Sequence, residues 1–506
     1  MQLLSKSSYV RGHQCPKSLW LQSHKSSVLT PLSESDQVKI DIGNQVGEKA
    51  YELFPNGKKI PYIDTSLEQR LELTREYLEQ GVENIYEATF LGAGVIVMVD
   101  ILHKVSHGCY EIYEVKGSSL SSKSKPKQKY IDDIAIQKYV LGLQEINIKD
   151  CYLISLNSEY VHSEESTTKD LLRVVNLTKE IESNQIFLPE EIDSLKQTLQ
   201  LKDEPDIDIG YHCNNPDQCD AKNYCWKEQK NIPDYSVFNI FKLTKKSKAL
   251  DFYQSGILKV EDIPVTDKLT QSQIDAIELH KFVQKNTYKL DALKIKEFIS
   301  EIKSPIYYFD FETFQQAIPK YIGVSPYQQI PFQYSVHIQK QPGYDCSHRE
   351  YLAESNEDPR EKLLIRLIED LSQEGTILAF NASFEMTVIK NLMEQFPKYQ
   401  ESLNKLIDRF LDLATPFKNK DYYHKDMGGG YSIKKILPIL VPEMNDAYSN
   451  LDLVHNGGEA MNAFAKLDNM TDKEEIKSLR ESLLRYCELD TLAMVKILEK
   501  LRGLVD

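Results

Sequence analysis

The stretch Ile306-Tyr307-Tyr308-Phe309-Asp310-Phe311-Glu312-Thr313-Phe314 is apolar and aromatic except for two acids, Asp310 and Glu312. Following Pro305, it predicts a buried strand. Side chains alternate along a strand, so the two carboxylates share a face. Two acids on an otherwise buried strand are costly unless a cation or a hydrogen-bond network offsets repulsion and desolvation. Two readings are open at this point: an edge strand with a solvated acidic face, or one part of a cation site.

Working outward, residues 304–506 read as an α/β module. Strands are expected over Phe332–Ile338 and near Tyr351, then a helix over Pro359–Ser372 and an apolar strand over Thr376–Phe380. A helix opens at Asn381-Ala382-Ser383-Phe384-Glu385 and runs to about Gln395. Leu411–Thr415 predicts a short strand or turn, Gly428-Gly429-Gly430 leads into a short helix, and the last helices carry Tyr486-Cys487-Glu488-Leu489-Asp490. Three acidic positions thus follow in order: Asp310-x-Glu312 on a strand, Glu385 at a strand-to-helix turn, and Asp490 on a late helix, four residues after Tyr486. Singly, each has a structural reading: paired strand acids, a glutamate complementing a helix N-terminus, an amphipathic tyrosine. Together they resemble the three motifs of the DnaQ-like, RNase H-like DEDD exonucleases, and the tyrosine resembles their DEDDy branch. The resemblance implies two divalent ions, Mg²⁺ or Mn²⁺, held by Asp310, Glu312, Glu385 and Asp490, and release of nucleoside monophosphates in the 3′→5′ direction. Two ions a few ångströms apart require several carboxylates to offset their charge, one ion activating water and the other stabilising the leaving oxygen. Tyr486, on the same helix face as Asp490, would position that water or help deprotonate it. Glu385 stands where most members carry aspartate, so its carboxylate reaches one methylene further.

Residues 1–230 read as a separate module. Val38, Ile42, Val46 and Ala50 predict a helix over 35–54, with Gly43 and Gly47 on nearly one face for close backbone approach. Ser66 and Gln69 predict a capped helix over 67–80. Asn84–Leu91, Val95–Leu102 and Cys109–Lys116 predict a three-stranded meander, followed by a helix over Gln128–Leu143 and a strand over Cys151–Leu156. Asp100 ends the second strand, Glu114 and Lys116 share a face of the third, and Asp133 and Gln137 share a helix face. This order, with Asp100 fourteen residues before Glu114-Val115-Lys116, resembles the PD-(D/E)xK restriction-endonuclease-like core. The resemblance makes Asp100 and Glu114 ligands of Mg²⁺ or Mn²⁺, Lys116 a group that orients the attacking water and stabilises charge on the phosphate, and Gln137 a member of the site. Alone, Glu-x-Lys is an ordinary cross-strand ion pair.

Four cysteines add to the pattern: Cys15 near the start and Cys213-x5-Cys219-x5-Cys225 at the end of the module. These spacings are unlike the tight Cys-x2-Cys knuckles of most structural zinc sites, and four thiolates suit a [4Fe–4S] cluster; zinc remains the alternative. The set resembles the iron–sulfur subgroup of RecB-family nucleases, which includes the CRISPR-adaptation exonucleases, and implies a cluster on Cys15, Cys213, Cys219 and Cys225 that staples the module's ends. In that subgroup a histidine often follows Gly43's counterpart by four residues; here Gly47 stands there, with Glu48 and Glu87 as possible substitutes. Lys123, Lys125, Lys127 and Lys129 form either a solvated loop or a phosphate-tracking one.

Residues 231–303 read as short helices over Phe238–Leu243, Lys248–Ser255, Gln271–Gln284 and Leu290–Ile302, a linker between the two modules. The chain of 506 residues is too long for one core. Its net charge of −15 argues against a general nucleic-acid coat but not against a nuclease whose carboxylates hold metal. No apolar run is long enough for a bilayer and no signal-peptide core precedes Cys15, which points to the cytoplasm and no membrane partner. The whole resembles an uncharacterised bacterial family joining an iron–sulfur RecB-type nuclease to a DEDDy exonuclease domain. The expectation is a metal-dependent nuclease with nucleic acid as partner, single-stranded DNA favoured and RNA open. The alternative is a nucleic-acid-binding or defence-complex subunit with one or both sites degenerate. Roles in DNA repair or CRISPR-linked defence rest on analogy.

Overall fold

The computed structural model describes residues 3–243, 248–264, 266, 268–371 and 374–506. It comprises two compact units, Met1–Ile232 with Gln316–Tyr327, and Pro233–Gln315 with Gln328–Asp506.

In unit 1 the elements are β1 (Leu4–Ser5), α1 (Lys6–Gln14), α2 (Pro16–His24), α3 (Glu34–Ala50), β2 (Lys58–Lys59), α4 (Leu67–Glu79), β3 (Asn84–Gly92), β4 (Val95–Ser106), β5 (Cys109–Leu120), α5 (Gln128–Leu143), β6 (Asn147–Asn157), α6 (Thr168–Leu171), β7 (Leu172–Asn176), α7 (Thr178–Asn184) and α8 (Leu188–Gln200). Among the described residues these strands form a mixed sheet in the order β2-β3-β4-β5-β6-β7, with β1 beside β4. β3, β4 and β5 are the expected antiparallel meander, and β6 returns parallel to β5. A parallel return needs a crossover, which α5 supplies; its Ile134, Ile136 and Val140 pack into the core with Val97, Val99, Ile112 and Leu153. α4 starts where Ser66 accepts from the Gln69 backbone and Gln69 accepts in return at 2.7 Å, and it stops before Gly81, whose φ is +68°. The close approach expected of the two α3 glycines does not require them: a Cβ on Gly43 or on Gly47 would meet nothing within 4 Å.

In unit 2 they are α9 (Lys248–Gln254), α10 (Gln271–Asn286), β8 (Tyr288–Leu290), α11 (Ala292–Ser300), β9 (Ile306–Phe314), β10 (Ile330–Gln339), β11 (Cys346–Leu352), α12 (Arg360–Asp370), β12 (Thr376–Ala379), α13 (Ser383–Gln395), α14 (Gln400–Ile407), β13 (Phe410–Asp412), α15 (Thr415–Lys418), β14 (Tyr422–His424), α16 (Ile433–Leu440), α17 (Gly457–Leu467) and α18 (Lys473–Gly503). The main sheet runs β11-β10-β9-β12-β13. β10 is antiparallel to both neighbours, whereas β9, β12 and β13 are parallel. β9 is therefore central and not an edge, which removes the solvated-face reading of its acids. Its odd positions, Tyr307, Phe309 and Phe311, pack with Leu363 and Leu367 of α12 and Val388 of α13. Tyr308 lies on the opposite face with Ala493, Met494 and Ile497 of α18. Asp310 and Glu312 share that α18 face by alternation.

The expected linker is not a separate body, since Pro233 onward is part of unit 2. Val283 of α10 and Ile295 and Phe298 of α11 pack into the same core as Tyr308. Instead of a helix over Phe238–Leu243 there is a single turn, Val237–Asn239, opened by a capping box in which the Asn239 side chain accepts from the Ser236 backbone at 2.8 Å. α12 ends at Asp370; Ser372, its expected end, lies outside the described residues. No helix among the described residues is long and apolar enough to cross a membrane.

Candidate functional site

In unit 2 the expected acids converge. Asp310 and Glu312 come from the central strand, where flanking aromatics fix the register. Glu385 sits in the first turn of α13, entered through Asn381 at φ +68°. The Asn381 backbone N–H donates at 2.9 Å to Asp412 at the end of β13, tying the two strand ends together. Asp490 comes from the middle of α18. Burial, then the charges of Asp490, Glu312 and Glu385, push the Asp310 carboxyl well above the usual range, with Lys434 opposing. Glu312 is raised by burial and by Asp490 and Glu385. Burial and Asp412 push Glu385 up to about 8, although its own backbone N–H opposes the shift. Glu385 Oε2 is buried and accepts no hydrogen bond among the described residues. Crowded carboxylates and an orphaned buried oxygen are the chemistry a divalent cation satisfies.

Tyr486 is buried close to Asp490. Burial and the charge of Asp490 hold its phenol well above the usual range. Three neighbours were not singled out by sequence. Tyr448 donates to Asp490 Oδ1 at 2.5 Å. The Lys434 ammonium lies 4.9 and 4.8 Å from the centres of the Tyr448 and Tyr486 rings and donates to the His455 carbonyl at 2.6 Å. Cys487 Sγ lies 4.0 Å from Asp310 Oδ2, and Asp310, Glu312 and Cys487 each place one ligand atom within 4.8 Å of the others. Lys434 lies in the apolar helix α16 and Tyr448 beyond it, and nothing in their spacing marks them. Cys487 was legible only as the neighbour of Tyr486.

In unit 1 Asp100, Glu114, Lys116 and Gln137 also meet. Glu114 is almost fully buried. Its oxygens accept from Lys116 at 2.5 Å, Lys6 at 2.9 and 3.1 Å, and Gln137 at 2.7 Å. Burial opposes ionisation of Glu114, but Lys116 and Lys6 outweigh it and hold the carboxyl below the usual range. Asp100 Oδ2 accepts from the Val115 backbone at 2.6 Å, while burial and the Glu114 charge push its carboxyl up to about 8. Asp133 completes the cluster, 2.5 Å from Lys116 and 3.4 Å from Lys6. Its position one turn before Gln137 was the available signal; Lys6 had none. Of the substitutes for the missing histidine, Glu87 lies near enough for Lys6 and Glu114 to act on its carboxyl, whereas Glu48 pairs with Lys59 at 3.2 Å. Lys129 pairs with Asp217 at 2.6 Å, so one of the four loop lysines is already neutralised.

Cys15, Cys213, Cys219 and Cys225 line one small cavity. None of the four is in a disulfide. Burial, opposed by Lys17 and reinforced by the other three sulfurs, pushes Cys225 up to about 11. The Gly210 backbone N–H points at Cys213 Sγ at 3.4 Å. Burial also pushes the Cys15 thiol up. The two ends of the unit are also joined without metal. Arg11 forms a two-bond pair with Asp220, both at 2.7 Å, Gln14 donates to the His212 and Asp217 carbonyls, and Lys17 pairs with Glu204 at 2.7 Å.

A mixed α/β protein with two buried acidic clusters and a four-cysteine cavity is the class these observations define. Residues 307–432 match the model of a family described as a domain of unknown function, DUF2779. The match covers Asp310, Glu312 and Glu385 and stops before Tyr486 and Asp490. The chain is 25% identical over 451 residues to an uncharacterised protein of Ureaplasma parvum, covering 78% of this chain and 62% of that one. It is 23% identical over 463 residues to an uncharacterised protein of Mycoplasma pneumoniae, covering 79% and 68%. A Mycoplasma genitalium protein, also uncharacterised, is 27% identical over 228 residues, covering 42% and 34%.

Proposed function

We propose that this protein is a metal-dependent nuclease whose unit 2 removes nucleotides from 3′ ends of single-stranded nucleic acid, DNA favoured. The observation that carries this reading is the convergence of Asp310 and Glu312 from β9, Glu385 from the first turn of α13 and Asp490 from α18, with Tyr486 buried beside Asp490. The mixed five-stranded sheet β11-β10-β9-β12-β13, with β9 at its centre, is compatible with an RNase H-like domain and supports the same reading. Mg²⁺ or Mn²⁺ would be held by these four carboxylates and would supply the positive charge that activates water and stabilises the leaving 3′ oxygen. Tyr486, four residues before Asp490 on the same helix, would orient the attacking water. Lys434, beside both tyrosine rings, faces charge developing on the phosphate.

Unit 1 reads as a PD-(D/E)xK module with a [4Fe–4S] cluster on Cys15, Cys213, Cys219 and Cys225. Asp100 and Glu114 would hold its metal, with Lys116 on the phosphate. A second reading, that this module grips nucleic acid without cutting, is favoured by one observation: both Glu114 oxygens are taken by Lys6, Lys116 and Gln137.

The test is end-labelled single-stranded DNA and RNA with Mn²⁺. Asp310→Asn and Asp490→Asn are expected to abolish stepwise loss from the 3′ end, and Asp100→Asn to leave it intact. Degradation that survives Asp310→Asn but not Asp100→Asn would move the activity to unit 1. Absence of cleavage by anaerobically prepared protein with any divalent ion would leave only binding.

A further inference from the structure

A second group of metal-ligating side chains lies on the same face of the unit 2 sheet, outside the carboxylate cluster. His337 of β10 and His348 of β11 are directly opposed across the strands, their ring centres 4.6 Å apart. Glu488 reaches toward them from α18, with Oε1 3.9 Å from His348 Nδ1. One ligand atom of each residue lies within 4.8 Å of the others. His337 is almost fully buried, and Glu488 is exposed and free to adjust.

The hydrogen bonds behind these rings fix where their lone pairs point. Thr491 Oγ1 donates its one proton to the Glu488 carbonyl at 3.0 Å. Toward its other two partners, Ser335 Oγ and His337 Nδ1, both at 2.8 Å, it can therefore only accept. Ser335 thus spends its own proton on Thr491 and must accept from His348 Nε2, also at 2.8 Å. Each imidazole is left with its N–H directed into the protein and an unprotonated nitrogen, Nε2 of His337 and Nδ1 of His348. This is how metal-bound histidines are oriented: the far nitrogen donates to a fixed acceptor, which sets the tautomer and ring plane. Ser335 and Thr491 are wholly buried, so the relay is part of the core and not a surface accident. Glu350, opposite Ser335 on β11, is close enough to His348 and Glu488 for both to act on its carboxyl, and offers a further oxygen.

We propose that His337, His348 and Glu488 form a binding site for a borderline transition-metal cation of the Zn²⁺ class, which fastens α18 to β10 and β11. Two imidazoles and a carboxylate match the nitrogen and oxygen ligands such an ion takes at about 2.0–2.2 Å. They do not match the all-oxygen shell preferred by Mg²⁺. The contraction needed from 3.9 Å is within reach of the Glu488 side chain. Because α18 also carries Tyr486 and Asp490, the ion would steady the helix that completes the carboxylate cluster. The site stands on its own geometry whether or not that cluster cuts nucleic acid.

The probe is Co²⁺, titrated into the full chain with Mg²⁺ in excess. Wild-type protein is expected to take up one more equivalent than His348→Ala or Glu488→Gln. The lost component should show visible ligand-field bands without the near-ultraviolet charge transfer of thiolate ligands, which separates it from the cysteine cavity. Asp310→Asn should retain that component, separating it from the carboxylate cluster. Thr491→Val, which removes the acceptor behind His337, should weaken its affinity about 10–100-fold. Equal uptake by wild type and both ligand variants, or a lost component carrying the thiolate band, would overturn the site. Glu488→Gln keeps the shape of an exposed side chain, so a folding failure of His348→Ala leaves the comparison decidable.

Discussion

Replacing Glu312 by glutamine keeps its shape and removes one of the charges that Asp310 faces. Burial and repulsion oppose ionisation at this position, so the metal-free chain should gain stability from the change, on the order of 1–3 kcal/mol. Calorimetry in chelator and in Mn²⁺ checks this: the variant should melt higher than wild type in chelator and gain less from Mn²⁺. A lower melting temperature in chelator would mean that the charge is already matched within the protein. Unit 1 predicts the opposite sign. Lys6 lies against Glu114 and Asp133, and Lys6→Met strands part of their charge; removing one partner of a buried pair costs about 3–5 kcal/mol. The Lys6 side chain keeps 21% exposure, which places the expected loss near the low end, read from denaturant unfolding of unit 1. The difference between the clusters explains what was legible. Asp310, Glu312, Glu385 and Asp490 could be found from sequence because each sits at a fixed place on a strand or helix. Lys6 could not, because its role depends on a contact 108 residues away that no local pattern encodes.

At the scale of elements, periodicity and capping located many strands and helices, and helices such as α1, α2, α7 and α8 went unread. At Val237–Asn239 apolar spacing suggested a longer helix; a capping box of Ser236 and Asn239 does open one, but it runs for a single turn. The larger revision concerns α10 and α11, whose helical spacing was clear but whose partners lie elsewhere in the chain. His280 of α10 is wholly buried, hydrogen-bonded to Tyr235 and, at 3.1 Å, to Tyr423 of β14. Burial and the Lys420 charge pull its pKa from 6.5 down to about 4. The unfolded chain therefore takes up this proton at a higher pH than the folded one. Its contribution to stability is complete above pH 6.5 and lost as pH falls toward 4, by at most about 3 kcal/mol. Denaturant melts of wild type and His280→Gln across this range should differ in slope, the wild type falling more steeply with acid. Parallel curves would show that His280 is protonated as easily in the fold as outside it.

For the whole molecule, the separate cores of the two units set how damage should spread. The N-terminal helices of unit 1 bridge its two special places: α1 begins with Lys6 on Glu114, and Cys15 joins α1 to α2 beside the other three cysteines. Arg11 with Asp220, Gln14 with His212 and Asp217, and Lys17 with Glu204 hold this hairpin without metal, yet all are polar contacts at least partly open to water. Partly solvated ion pairs contribute little individually. A cluster on the four thiolates would add far more, since metal binding that exists only in the folded state is folding free energy. On the proposed [4Fe–4S] assignment, Cys213→Ser should therefore remove the brown colour expected of an anaerobic preparation and raise hydrogen exchange over α1, α2 and residues 207–229. Through Lys6 it should also loosen the Glu114 cluster. Exchange in β9 and the central turns of α18 should stay at wild-type levels, because Tyr308 and Met494 belong to a core that none of these residues enters. Equal acceleration in β9 and α18 would mean that the units fold as one cooperative body. No acceleration in α1 and α2 would mean that the polar contacts alone hold the hairpin, and that the cysteines have another use.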